Sequence, residues 1–159
     1  MLKRDSTILS KKLFKLTFGG GLAFWAGTIA ISLTPIRAEF RAAFSMSYIQ
    51  TVLVEALLGG IIIACFVSFF LLRFFDKIPT KNPILKSVIL TFIPYVINAI
   101  LLGIAASRTG DALHIFLIGA ALNVPTFLIL GVVIGYLHKR LYGSLQLRPA
   151  EGSKISTHE

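Results

Sequence analysis

The chain has 159 residues, of which 55% are hydrophobic and only 14% are charged, and its mean hydropathy is +0.82. Because soluble domains carry charge on about a quarter of their residues, this composition excludes an ordinary soluble domain and indicates that lipid is the main solvent. The net charge of +9 does not indicate nucleic acid, since the cations collect at the ends of the apolar stretches and form no basic face.

Four apolar stretches are each long enough to cross a hydrocarbon core of about 30 Å as a helix. The period-2 alternation that a membrane β-barrel needs is absent. Short connections make neighbouring helices antiparallel. The predicted fold is therefore an all-α polytopic membrane protein, an antiparallel four-helix bundle that forms one transmembrane domain over residues 16–143. Its predicted spans cover residues 16–34, 52–72, 88–106 and 115–137.

Lysine and arginine are distributed unevenly between the segments that flank these spans. Residues 1–15, the middle connection and the segment after the last span hold 13 of the 16 cations. The positive-inside rule therefore predicts a multi-pass plasma-membrane protein with cytoplasmic N- and C-termini. The basic segment 1–15 favours anionic lipid at the cytoplasmic face. The polar residues 144–159 predict a disordered cytoplasmic tail.

A cleaved signal peptide is the alternative interpretation of the basic N-terminus and the first apolar stretch. That stretch is longer than the 7–15 residues of a typical signal core, and no clear cleavage site follows it. We therefore expect it to be retained as the first membrane helix.

The first outer connection has the pattern of a short helix. Thr34 is placed to cap a helix that begins at Pro35. Apolar residues recur there every four positions, and charged residues lie away from them. The apolar residues are Ile36, Phe40 and Phe44, and the charged residues are Arg37, Glu39 and Arg41. This pattern predicts an amphipathic helix in the outer membrane interface, and the alternative is that the second span begins early.

Small residues at four-residue intervals mark positions where helices can approach closely in lipid. We expect the first and second helices to pack along two such stripes. The stripe of the first helix contains Gly19, Ala23 and Gly27, that of the second contains Ala56, Gly60, Ala64 and Ser68, and the fourth helix carries Gly131 and Gly135. Stripes of this kind carry no information on function, because membrane proteins of every kind use them.

The last two helices each combine a proline with an asparagine, Pro94 with Asn98 and Pro125 with Asn123. Each proline removes a backbone hydrogen bond and is expected to kink its helix. The two asparagines are predicted at depths that differ by about 3 Å, so they can bond to each other. One interpretation is an amide clasp within the bundle. The other is a polar cavity halfway across the membrane, of the kind that broken helices line in transporters.

Glu55 is the only charged residue between Ala42 and Leu72. Its predicted depth is about 5 Å inside the outer edge of the hydrocarbon, where a cation at the boundary can reach it. The candidate partners at that boundary are Arg37, Arg41, Arg108 and His114. Two interpretations remain open, structural pairing or snorkelling of the carboxylate, and a proton- or cation-coupled role.

No hydrolase motif, phosphate-binding loop or zinc-site spacing occurs in the sequence, and the single Cys65 cannot form an intramolecular disulfide. We therefore predict no catalytic residue, cofactor or metal, and no enzyme activity. The predicted function is a non-catalytic helix-packing or interaction module that assembles with itself or with another membrane protein. The alternative is a subunit of a small oligomeric transporter or channel with a polar site at Glu55, Asn98 and Asn123.

Overall fold

The computed structural model describes the backbone of residues 2–142 and the side chains of residues 9–142. All regular structure in this range is helical, without strands, and a π-helix (Gln50–Gly59) leads directly into the third α-helix. The five α-helices are α1 (Leu2–Ser32), α2 (Pro35–Ala43), α3 (Gly60–Phe74), α4 (Pro83–Ala106) and α5 (Ala112–Tyr142). The tail predicted at 144–159 lies outside the described residues.

Four helical segments are long and apolar enough to cross a membrane. They are Leu9–Ser32, Gln50–Lys77, Pro83–Ala106 and Ala112–Tyr142. Each corresponds to one of the four stretches found in the sequence. Large apolar side chains on them are exposed, such as Ile62 at 69% and Leu101 at 61%. Such exposure is stable where the solvent is itself apolar, so the helices have the character of a multi-pass membrane protein.

The helix α2 is a separate element and not an early beginning of the second span. Thr34 precedes it with an extended backbone, and Pro35 is its first residue. The Thr34 hydroxyl makes no cap, because Oγ1 donates backward to the Ile31 carbonyl at 2.6 Å. The predicted faces of α2 are wrong in one respect, since Arg37 is buried and Ile36 is exposed. The carboxylate of Glu55, which lies on the protein side of α2 and pairs with Arg37, explains why Arg37 is buried.

The second apolar segment begins with a reciprocal cap. The Ser47 backbone N–H donates to Gln50 Oε1 at 2.9 Å, and the Gln50 N–H donates to Ser47 Oγ at 3.1 Å, which is a capping box. The π-helix that follows has i→i+5 backbone bonds. Its two buried residues, Thr51 and Ala56, are accordingly five positions apart. The π-helix therefore rotates the first turns of this segment relative to the α3 residues that follow.

The small residues predicted on the second apolar segment run from the π-helix into α3, and Gly60 and Ala64 among them meet α1. Ala56, Gly60, Ala64 and Ser68 are all buried. A Cβ atom on Gly60 would lie 2.8 Å from the Phe24 ring, and one on Gly20 would lie 3.2 Å from Ala64 Cβ. The two helices therefore approach closely, and Gly20 and Gly21 are the residues of α1 that allow it, since a Cβ atom on Gly21 would lie 3.3 Å from Ile61 Cα.

The stripe predicted on α1 faces a different neighbour. Gly19 lies against Leu137, and Gly27 lies against Ile129 and Thr126, all three in α5. Ala23, between them in the stripe, is half-buried. The pairing predicted for this stripe is thus replaced by contact with α5, because α1 packs on two helices and needs small residues on both sides.

The helices α4 and α5 approach each other at backbone distance. A Cβ atom on Gly131 would lie 3.0 Å from Val88 Cα, and one on Gly135 would lie 2.9 Å from the Pro83 carbonyl oxygen. Gly131 and Gly135 of α5 therefore allow this close contact with α4. Pro94 and Pro125 both lie inside continuous helices.

Two apolar clusters form the core. The larger cluster joins α1, α3, α4 and α5 and contains Phe24, Ala64, Val67, Leu71, Leu90, Phe127, Leu130 and Ile134. The smaller cluster joins α2 to α4 and α5 and contains Phe40, Leu102, Ala106 and Ile115. Phe40 thus holds α2 against the beginning of α5, and this positions the charged side chains of α2.

Candidate functional site

Glu55 of the π-helix forms an ion pair with Arg37 of α2. Arg37 Nη2 lies 2.7 Å from Glu55 Oε2, and the two side chains are 3% and 36% exposed. The guanidinium carbon also lies 4.8 Å from the centre of the Phe40 ring, in cation–π range. The guanidinium is therefore buried on the protein side of α2, whereas part of the carboxylate stays accessible.

The other predicted partners of Glu55 have different neighbours. Arg41 Nη1 donates to the Ser32 carbonyl at 3.1 Å, where a cation complements the C-terminal end of α1. His114 Nε2 lies 2.9 Å from Glu39 Oε1, and both side chains are about half exposed. Within residues 9–142 no ion pair involves Arg108. Of the four candidate cations, Arg37 alone is paired with Glu55.

A cavity of about 410 Å³ lies beside the ion pair. Its lining consists of Phe44, Ser45, Met46, Gln50, Val54 and Glu55. Ser45 has a φ of 53°, a left-handed conformation that non-glycine residues seldom adopt. The cavity is thus bordered by the strained Ser45 of the turn after α2, by Gln50 of the capping box and by the accessible carboxylate of Glu55 in the π-helix.

Asn98 and Asn123 are in direct contact. Asn123 Nδ2 donates to Asn98 Oδ1 at 2.9 Å, across the interface of α4 and α5. Both residues are half-buried. This bond uses one donor of the Asn123 amide and one acceptor of the Asn98 amide. Among the described residues no hydrogen bond links either asparagine to Glu55, so the three residues form two separate polar sites.

The crevice next to Asn98 has an apolar lining. It has a volume of about 260 Å³ and lies between α3 and α4. Its lining residues are Ile62, Ile63, Phe66, Pro94, Ile97, Asn98 and Leu101. Asn98 is the one polar side chain in that set, and its carbonyl oxygen already accepts from Asn123. The crevice therefore offers little to hold water or an ion.

A second charged cluster, which the sequence did not predict, lies near the C-terminal end of α5. It includes His138, which is 24 residues after His114 in that helix, a rise of about 36 Å along the helix axis. Lys86 Nζ donates to the Phe75 carbonyl and lies 3.8 Å from the centre of the Phe75 ring. The other side of this cluster is His138, whose ring is stacked 4.7 Å from that of Phe75. A lysine in the first turn of a helix is unfavourable for the helix dipole, and that position was the available signal.

In the part of the chain that the structure describes, no group of three or more histidine, cysteine or acidic residues could hold a metal ion. Comparisons with protein-family models, curated proteins and solved structures find no match to this chain.

Proposed function

We propose that this protein is a plasma-membrane protein of four antiparallel spans with cytoplasmic termini, and that it acts as a non-catalytic helix-packing module. Its partner would be a second copy or another membrane protein. The antiparallel order is supported by contacts of α1 with α5, where Gly19 faces Leu137 and Gly27 faces Thr126. The topology is supported by the distribution of lysine and arginine.

The observation that carries this proposal is the bond between Asn98 and Asn123. A transport site needs polar groups that face a pathway. Here the amides face each other at 2.9 Å, and the adjoining crevice is otherwise apolar. An interhelical amide bond of this kind supports packing. The exposed apolar side chains of α4 leave a broad surface for lipid or for a partner helix, including Ile93, Ile97, Ile100, Leu101 and Ile104.

Cysteine accessibility in membranes tests the packing function. The exposed Cys65 is first replaced by alanine, and single cysteines are then introduced in the crevice as Ile97→Cys and Leu101→Cys, which leave the amide clasp intact. The Ser107→Cys variant, at the exposed end of α4, is the accessible control, and Leu130→Cys, at 0% exposure, is the buried one. We expect a membrane-impermeant thiol reagent to modify only the Ser107→Cys variant.

Labelling of both crevice variants at a rate close to that of Ser107→Cys would instead indicate a water-filled pathway. Replacing Asn98 and Asn123 themselves by cysteine extends the test to the clasp. A reporter fused after Glu159 tests the topology separately, since activity only on the external side would contradict cytoplasmic termini.

The alternative function, a subunit of a small oligomeric transporter or channel, is favoured by the surroundings of Glu55. This carboxylate is 36% exposed, lines a cavity and lies in a π-helix, an element that is frequent at functional sites. The Glu55→Gln variant tests this alternative. If assembly and any ion flux in reconstituted vesicles are unchanged in that variant, the coupled role of Glu55 is excluded.

A further inference from the structure

Lys86 is a buried cation that has no carboxylate partner among the described residues. The residue is 5% exposed, and its ammonium contacts the Phe75 carbonyl and the face of the Phe75 ring. An ammonium has three donors, and a carbonyl bond accounts for one of them. Because a buried charge is costly unless it is paired, the position of Lys86 calls for an anion.

The space for such an anion lies beside Lys86. A cavity of about 550 Å³ opens to the surface where α3 is connected to α4. We call it the Lys86 cavity, and its lining consists of Phe75, Asp76, Ile78, Pro79, Thr80, Lys81 and Lys86. Asp76 shares this lining but forms no ion pair with Lys86 within the described part of the chain. Among the described residues, Lys86 thus lacks a counter-charge that an anion bound in the cavity would supply.

The lining of the Lys86 cavity suits a phosphate group. Two lysines and one aspartate give the lining a net charge of +1. The Thr80 hydroxyl adds a further donor, and the ammonium groups act as point charges for phosphate oxygens. Ile78, Pro79 and the Phe75 ring form an apolar wall beside these donors. A ligand that joins a phosphate to an apolar body matches both parts of the cavity.

We propose that the Lys86 cavity binds a phosphate group, and that in the membrane this group is the headgroup of an anionic phospholipid. The choice of the lipid as the source rests on the proposed topology, which places the α3–α4 connection at the cytoplasmic leaflet, where anionic lipids are found. Binding of phosphate itself does not depend on that topology. The site is separate from the Asn98–Asn123 clasp and from Glu55.

Native mass spectrometry of the full chain in mild detergent tests this proposal, with phosphatidylglycerol and phosphatidylcholine added in turn. We expect stepwise adducts with phosphatidylglycerol. The exposed Lys81 allows a Lys81→Gln variant without risk to the core, and we expect its affinity to fall about fivefold, the factor for one basic residue at an anionic surface. Lys139→Gln is the matched control, because Lys139 is an exposed cation near the same end outside the cavity. Lys86→Met should lose the lipid entirely if far-ultraviolet circular dichroism shows a folded chain.

The outcomes distinguish the two sources of phosphate. Retention of phosphatidylglycerol that weakens in Lys81→Gln but not in Lys139→Gln supports the lipid site. Stabilisation by inorganic phosphate, lost in Lys81→Gln and without retention of phosphatidylglycerol, supports a free-phosphate site. Equal losses in Lys81→Gln and Lys139→Gln, or no binding of either ligand, would overturn the proposal. None of these results depends on the labelling of the crevice, so the packing function stands or fails separately.

Discussion

The guanidinium of Arg37 and the carboxylate of Glu55 form an ion pair in which the cation is buried and the anion is partly accessible. The Arg37 side chain is 3% exposed and that of Glu55 is 36% exposed. This asymmetry determines the cost of removing either partner. Loss of the carboxylate leaves a buried charge without a counter-ion, whereas loss of the guanidinium leaves a carboxylate that is partly exposed near the outer interface.

We therefore predict that Glu55→Ala is more destabilising than Arg37→Met. The free energy of unfolding should fall by about 2 kcal/mol in Glu55→Ala, below the usual cost of breaking a fully buried pair because Glu55 is partly exposed. The double variant should recover part of this loss, since it removes the unpaired charge. Unfolding by sodium dodecyl sulfate in mixed micelles measures all three. The matched control is Glu39→Ala, which breaks the exposed contact with His114 and should cost less than about 0.5 kcal/mol. A double variant less stable than Glu55→Ala would contradict this account.

The ion pair also shows which features of the fold and of the site the sequence alone predicts and which it does not. The four long helices follow from the length and apolar character of the stretches, and Glu55 with its four candidate partners follows from charge and depth. The possible contact of Asn98 with Asn123 follows from their similar depths. The choice of Arg37 does not follow. A helical wheel directs Arg37 away from the apolar side of α2, and only the position of Glu55 across the interface explains why it turns inward.

Three further features escaped prediction for different reasons. Apolar residues fall on every side of the stretch that forms the π-helix, so its sequence has no periodicity that would distinguish a π-helix from an α-helix. The five-residue spacing of the buried Thr51 and Ala56 is visible only in the structure. The capping box of Ser47 and Gln50 does have a sequence signal, because serine and glutamine three residues apart are typical of a helix start. The Lys86 cluster brings together α4, α5 and the segment after α3, and the only sequence signal for it was the position of Lys86 in the first turn of α4.

The contact of α4 with α5 predicts a strong effect of one methyl group at Gly135. A Cβ atom there would lie 2.9 Å from the Pro83 carbonyl oxygen and even closer to Ile84 Cα, and backbone atoms cannot move aside as side chains do. We expect Gly135→Ala to lower the free energy of unfolding by about 2 kcal/mol through overpacking. Gly103→Ala is the control, because the nearest atoms to its Cβ are those of the Phe116 ring at 3.7 Å. A loss in Gly103→Ala as large as in Gly135→Ala would argue against backbone contact as the cause.

The amide clasp predicts a small but specific coupling between α4 and α5. Interhelical hydrogen bonds in membranes contribute about 0.6 kcal/mol on average. The single variants Asn98→Ala and Asn123→Ala should each reduce stability, and the double variant should cost about 0.6 kcal/mol less than their sum. A double-mutant cycle in mixed micelles measures this coupling. Strict additivity would show that the 2.9 Å contact between the amides contributes nothing to the packing of the two helices.

The turn beside Glu55 contains two serines for which opposite effects are expected. Ser45 has a φ of 53°, and a residue with a Cβ atom is strained in this conformation. Ser45→Gly relieves the strain and should raise the free energy of unfolding by about 0.5 kcal/mol, after the entropic cost of glycine. Ser47→Ala removes the hydroxyl that accepts from the Gln50 N–H, and it should lower stability by about 1 kcal/mol. Thermal unfolding in one detergent measures both variants, with Ser45→Ala as the control that keeps the Cβ atom. Equal stabilities of Ser45→Gly and Ser45→Ala would mean that the left-handed backbone at Ser45 imposes no strain on the turn.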